Sequence, residues 1–267
     1  MSLSLYANSK VFAEFVFFKS VPNNPFCSVK LIFPSVNQYT QYTKGCNSCK
    51  DRSDVFSCLC QTELDQIDEK RIEVHFKAGE LIFKQGTPNM HFLCLTQGKV
   101  KTYIEGYNDK NLILSIVKPV EYILGPGIYA DQMHHFSAMA IEDSVACLVD
   151  LVTFKSLIRN NPDFAEDFLR KVSLQSIYNY ELFISLTQKQ MPGRIADVLL
   201  YLKDKVYDSN PFHTTLSRQD LADMSGMSKE SAIRILREFK DEGIIQVNGN
   251  DFEIINMDHL AKISQTG

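Results

Sequence analysis

The sequence predicts an α+β protein in three parts: an N-terminal β-roll or jelly roll, one long dimerisation helix, and a C-terminal winged helix-turn-helix. Three observations carry that prediction. Short apolar runs broken by glycine fill residues 74–150, the pattern of a small antiparallel roll. Asn161-Pro162-Asp163 then opens an apolar stripe at helical spacing that runs to about residue 190, with Asn as cap, Pro at the first helical position and Asp at the positive helix end. Beyond residue 216, a capped short helix, a Gly226 turn, a second capped helix and an Asn248-Gly249 hairpin follow in order,. The expected parts are an extension at 1–45, the roll as sensor domain at 46–160, the dimerisation helix at 161–190 and the winged module at 191–267.

Residues 1–45 show no periodicity, and Pro22, Pro25 and Pro34 break any long helix there,. A short helix is expected from Thr62, as N-cap, through Glu63, Leu64, Ile67 and Ile72,. Strands are expected at 81–83, 92–95, 100–104 and 112–117, with Gly79, Gly86, Gly98 and Gly106 in the turns between them,. Cys94, inside one of these runs, reads as a small buried hydrophobe,. Phe164, Phe168, Leu169, Val172, Ile177, Leu182, Phe183 and Leu186 give the long helix its stripe. A roll that closes on itself leaves such a stripe without a cover, and a second copy of the chain is the simplest partner. A further helix over 193–205 leads through Asp208-Ser209-Asn210-Pro211 into the last module.

In that module Ser217 starts a capping box with Asp220 at the third position, and Ser228 caps the second helix,. Ala232, Ile235, Leu236 and Phe239 follow i, i+3, i+4, i+7 spacing and must face a core,. The opposite side carries Lys229, Glu230, Ile233, Arg234 and Arg237. Polar residues at the exposed start of a second helix are what such a helix offers to base edges, so Ser217, Arg218, Ser228 and those five residues are the candidate DNA contacts. Bulk charge gives this no support. The chain is net −4, and residues 217–242 hold five basic against six acidic side chains. DNA binding therefore requires cations segregated on one face. Glu230 and Arg234 also read as a plain i, i+4 pair that stabilises the helix by roughly 0.2–0.5 kcal/mol.

The order of roll, long helix and winged module resembles the cyclic-AMP receptor protein and fumarate-nitrate-reduction regulator (CRP/FNR) family over residues 46–262. The most specific stretches are Leu216-Ser217-Arg218-Gln219-Asp220-Leu221-Ala222 and Ser228-Lys229-Glu230-Ser231-Ala232-Ile233-Arg234. Gln188-Lys189-Gln190-Met191-Pro192-Gly193-Arg194 is similar to the connector of regulators from Bacteroidetes. The resemblance implies that Glu230 accepts from a cytosine amino group and Arg234 bonds guanine O6 and N7 in a dyad half-site, with Lys229 on a phosphate. It also implies a cyclic-nucleotide-binding-like sensor, with Leu124, Gly125, His134, His135 and Ser137 at the effector pocket. There the sequence departs from the family. Pro126 stands in place of a carboxylate and Phe136 in place of an arginine, so a cyclic phosphate would be buried unpaired. Cyclic AMP is not the expected ligand.

Cys46 and Cys49 at C-x2-C spacing, with Cys58 or Cys60 farther on, raise an iron–sulfur cluster or zinc,, and the resemblance implies Cys147 as the central cysteine of that candidate metal set. Oxygen sensors of the family carry a further cysteine where Val55 stands. Seven cysteines, an odd and unevenly spaced set, do not make a secreted disulfide framework and fit a reduced cytoplasm,. No run of eighteen apolar residues suggests a membrane span,. The apolar stretch at 11–18 contains Glu14 and lacks a basic leader,. No phosphate loop, nucleophile elbow or metalloprotease helix supports catalysis. The expected partners are double-stranded DNA, a second copy of the chain as homodimer, and RNA polymerase. The reading from a different class is a redox- or ligand-sensing module whose winged domain binds protein.

Overall fold

The computed structural model describes residues 39–40 and 56–267, apart from residue 124. Among the described residues, nine strands build the roll: β1 (Tyr39–Thr40), β2 (Ile72–Phe76), β3 (Leu81–Phe83), β4 (His91–Gln97), β5 (Val100–Glu105), β6 (Asn111–Val117), β7 (Tyr122–Ile123), β8 (Ser137–Ala140) and β9 (Ser144–Asp150). One sheet runs β1-β2-β9-β4-β7 and the other β3-β8-β5-β6, all antiparallel. The four strands expected from the apolar runs are present. Gly79, Gly86 and Gly98 turn the chain with positive φ. Two residues of the expected N-terminal extension enter the fold, since Tyr39 and Thr40 pair with Val74 and Glu73.

The two faces of β4 explain its unbroken apolar run. Leu93 and Leu95 face the interior between the sheets with Val100, Ile123, Phe136 and Ala138. Phe92 and Cys94 face outward, yet they too are buried, under α1 (Gln61–Lys70), α2 (Leu151–Asn160) and the start of α3 (Pro162–Gln188). A strand covered on both sides loses the alternation of a half-exposed one. Phe92 stacks on Phe154 with ring centroids 4.4 Å apart, and Phe154 meets Phe164 and Phe168 edge-on.

Several expectations change here. The first helix is capped by Cys60 rather than Thr62, with Glu63 accepting from the Cys60 amide at 2.9 Å, and Ile72 opens β2 instead of closing the helix. Arg71 ends the helix in extended backbone, which switches the period from 3.6 to 2. The apolar stripe of α3 has two destinations. Phe164 and Phe168 are buried in the roll's own outer core, and Val172 packs against it. Farther along, Leu169, Leu174, Ile177, Tyr180, Phe183 and Ile184 lie in the open, each at least half exposed. At about 1.5 Å per residue, the 27-residue helix spans roughly 40 Å,.

After α3 the chain breaks at Lys189–Gln190 and continues as α4 (Met191–Tyr201), a wide π-turn (Leu202–Tyr207), β10 (Phe212–His213), α5 (Arg218–Met224), α6 (Lys229–Asp241), β11 (Ile245–Asn248), β12 (Asp251–Ile254) and α7 (Met257–Thr266). Asp197 of α4 ties the break together, accepting from Ser185 of α3 at 2.6 Å, Lys189 at 2.8 Å and Ser264 of α7 at 2.5 Å.

The C-terminal core extends into the roll, taking in Tyr103 of β5 and Ile113 and Ile116 of β6. Polar bonds line the same seam. The Tyr201 hydroxyl accepts from the Ile116 amide at 3.0 Å, and Lys118 donates to the Lys205 carbonyl at 2.7 Å. Lys101 of β5 pairs with Asp220 of α5 at 2.6 Å, both side chains less than a fifth exposed. Burial of Tyr201 in this seam pushes its hydroxyl up to about 12,.

Candidate nucleic-acid interface

The helix pair is built by its caps. Ser217 accepts from the Asp220 amide at 3.1 Å while Asp220 accepts from the Ser217 amide at 2.8 Å, the reciprocal box that satisfies both helix-end donors,. Gly226 turns the chain at φ 60°, and a Cβ there would lie 2.8 Å from Leu186 Cδ2, so the turn packs on the end of α3. Ser228 then caps α6 through the Ser231 amide at 3.2 Å. Ala232, Ile235, Leu236 and Phe239 are buried. Burying each large apolar side chain of this face is worth about 1.5–3 kcal/mol, which holds α6 by one side only.

The other side is open. Ser217, Ser228, Lys229, Glu230, Ile233, Arg234 and Arg237 are all exposed, and the structure brings the last five together on one face of α6. Arg234 does not pair with Glu230: its Nη1 donates to Glu238 Oε1 at 2.6 Å, one turn onward. Glu230 therefore stands apart from that bridge. Of the acidic side chains, Asp220 is drawn away from the face by Lys101, whereas Glu238 and Asp241 pair with the face's own Arg234 and Arg237.

Arg218 behaves differently from the other candidates. Its side chain is partly buried, donates through Nη2 to the Gly249 carbonyl at 2.5 Å and lies over the Phe252 ring at 4.8 Å. Gly249, at φ 60°, is the turn between β11 and β12, which with β10 form the wing. Lys240 of α6 donates to Val247 in the same hairpin at 3.1 Å. No local pattern marked Arg218 for this role, because the contact spans 31 residues.

In the roll, residue 124 lies outside the described residues. Gly125 is followed by Pro126 and Gly127 in a single 3-10 turn. A Cβ on Gly125 would lie 3.1 Å from the Phe136 ring, and Phe136 is buried. An apolar ring thus fills the space beside Gly125. Ser137, fully buried, donates to Glu105 at 2.6 Å and accepts from the Gln85 amide at 2.9 Å. His135 is exposed and bonds Asp131 at 3.1 Å.

His134 stacks on Phe83 at 3.8 Å between centroids. Burial, helped by the neighbouring His135 and His91, pulls its pKa down to about 4,. The unfolded chain protonates near 6.5 while the native ring stays neutral, so the unfolded state binds more protons as pH falls from 6.5 to 4. Stability is expected to drop by about 1–2 kcal/mol between pH 7.5 and pH 5 from this residue. Denaturant titrations of the wild type and His134→Phe at both pH values check it: the variant's loss is smaller by that amount.

Of the candidate metal ligands, Cys46 and Cys49 lie outside the described residues. Cys58 packs beside the outer core and Cys147 is inside it, where its Sγ accepts from the buried Arg71 at 3.4 Å. Among the described residues no three His, Cys, Asp or Glu side chains converge as a metal site, so these residues alone do not make a closed coordination shell. Also among the described residues, no helix is long and apolar enough to cross a membrane.

Comparison with known proteins agrees with this architecture. Residues 73–161 match the cyclic nucleotide-binding domain and residues 193–263 the Crp-like helix-turn-helix domain. Electron transport regulator A of Shewanella oneidensis is 27% identical over 75% of this chain and 81% of its own. The transcriptional activator protein anr of Pseudomonas aeruginosa is 24% identical, covering 81% and 92%. The CRP-like cAMP-activated global transcriptional regulator of Mycobacterium tuberculosis is 23% identical, covering 79% and 96%. Among solved structures, FixK2 of Bradyrhizobium japonicum superposes with a TM-score of 0.67 at 19% identity, over 72% of this chain and 96% of that one. With both domains in the order found here and regulators among its relatives, the chain belongs to the CRP/FNR family of DNA-binding transcription regulators.

Proposed function

We propose that this regulator works as a homodimer, reading a palindromic site through Glu230 and Arg234 under the control of a signal other than cyclic AMP. The observation that carries the reading is α6 itself, buried along one side and presenting Lys229, Glu230, Ile233, Arg234 and Arg237 on the other. Two such helices, related by a twofold axis, meet successive major-groove faces about 34 Å apart. Arg234 gives up its Glu238 bridge, an exposed pair worth little, to bond guanine O6 and N7,. Glu230 accepts from a cytosine amino group, and Lys229 and Ser228 meet phosphates. The open face of α3 supports pairing of two copies. Phe136 against Gly125 supports an effector without a buried anionic phosphate. RNA polymerase is the further partner that a transcription regulator addresses, and the cytoplasm is where both it and the DNA are met.

Arg234→Ala is expected to cost about 1–3 kcal/mol at the specific site and less on random duplex. Gel-shift titration of both DNAs at one salt concentration measures it. Equal losses on the two duplexes contradict base reading, and a wild-type protein without preference for a palindrome contradicts the function.

A further inference from the structure

We propose that Arg218 is a positioning residue for DNA binding, setting the height of the wing above α6 rather than neutralising a phosphate. The inference deepens the DNA-binding reading and rests on it. Arg218 is the first residue of α5, where an arginine would ordinarily extend into solvent beside the DNA backbone. Here the guanidinium folds back over the wing. Its Nη2 takes the Gly249 carbonyl at 2.5 Å and its plane covers Phe252 at 4.8 Å. Its Nη1 is buried and has no hydrogen-bond partner among the described residues. Burial lowers its pKa from the ordinary arginine value, as expected of a cation withdrawn from water,.

The wing needs such a holder. Its two long strands have four residues each and meet at an exposed glycine turn, and a short hairpin by itself is marginal in water. Lys240 grips one side of the turn at Val247 and Arg218 grips its tip at Gly249. The two cations come from the two helices of the helix-turn-helix, so the wing's position is fixed relative to the reading helix. Contacts to the DNA backbone set register without reading sequence. The wing tip, Asn248-Gly249-Asn250, carries no cation, so a wing held at the wrong height loses such contacts without changing the number of phosphates neutralised, even though α6 is intact.

A phosphate contact and a wing brace differ in their salt dependence. Each phosphate neutralised adds about 0.9 to the slope of log K against log salt on duplex DNA. Arg218→Met and Arg218→Gln are titrated on a palindromic duplex between 50 and 200 mM salt, with hydrogen exchange read at hairpin amides 247–252. For Arg218→Met the expected result is about a tenfold loss of affinity, an unchanged salt slope and hairpin exchange about tenfold faster. Arg218→Gln keeps an amide donor for the Gly249 carbonyl and is expected within about threefold of wild type in both measurements. A slope lowered by about 0.9 per protomer in both variants would overturn the proposal, as would unchanged affinity and exchange in Arg218→Met. Should Arg218→Met fold poorly, as its melting curve shows, the glutamine variant decides by the same slope. If wild-type protein prefers no duplex, the DNA reading fails first, while hairpin exchange still reports whether Arg218 braces the wing.

Discussion

Asp220→Ala is expected to destabilise the protein by about 3 kcal/mol, the largest effect of any single polar substitution proposed here. Two losses combine. Asp220 closes the capping box of α5 through the Ser217 amide and hydroxyl, at 2.8 and 2.7 Å, and losing a cap costs about 0.5–2 kcal/mol. It is also the partner of Lys101, whose side chain is only 19% exposed. Leaving one member of a buried pair without its counter-ion costs about 3–5 kcal/mol, and the partial exposure here puts this pair at or below the low end. Lys101→Met separates the two terms. It leaves the cap intact, keeps an apolar stem in the seam and strands a carboxylate that Ser217 still serves, so about 1 kcal/mol is expected. Urea denaturation of both variants is the measurement, and equal losses would show that the pair rather than the cap carries the effect. Burial alone would raise the Asp220 pKa, but the bonds from Lys101 and Ser217 outweigh it and hold the pKa below the usual carboxylate value. Its contribution is therefore present at neutral and mildly acidic pH, and is lost as pH falls through that depressed value.

Ile177→Asp combined with Ile184→Asp is expected to convert the proposed homodimer to monomer and to lower affinity for a palindromic duplex by at least about a hundredfold. Ile177, Tyr180 and Ile184 follow i, i+3, i+7 spacing on α3 and are 50–63% exposed in the single chain. Burying a whole isoleucine is worth about 1.5–3 kcal/mol, so covering the exposed half of four across a pair contributes roughly 3–6 kcal/mol. The substitutions remove this and set carboxylates against one another. Sedimentation equilibrium reads the mass directly. A variant that remains dimeric would place the interface elsewhere. A dimer lost with DNA affinity unchanged would sever pairing from function.

The fold was legible wherever local pattern and final environment coincide. The strands at 92–95 and 112–117, the Asn161-Pro162 helix start, the Ser217 and Ser228 caps and the Asn248-Gly249 turn each announce themselves within a few residues. Helix α2 also carries a local signal: Asp150 caps it through the Thr153 amide at 2.9 Å, and Leu151, Phe154 and Leu157 follow helical spacing. Strand β8 carried almost none, because Ser137-Ala138-Met139-Ala140 is a strand only by pairing with β3 and β5. At the interface, the exposed face of α6 followed from the positions of its apolar residues. The capping role of Asp220 was legible too, but the hold of Arg218 on the wing and the bond of Asp220 to Lys101 were not. Their partners lie 31 and 119 residues away, and an i, i+3 or i, i+4 rule sees only neighbours, as the choice of Glu238 over Glu230 by Arg234 also shows.

Strand β4 has a consequence of its own. Leu93 and Leu95 press on the inside of the roll while Phe92, between β4 and the outer helices, presses on Phe154, which in turn meets Phe164 at the root of α3. A close-packed interior yields little, so volume added on one side must emerge on the other. The strand therefore joins two packed cores: a change of volume in the core between the sheets is expected to be felt, through Phe92 and Phe154, at the base of a roughly 40 Å helix,, and the far end of that helix, at Leu186, lies against the turn between α5 and α6.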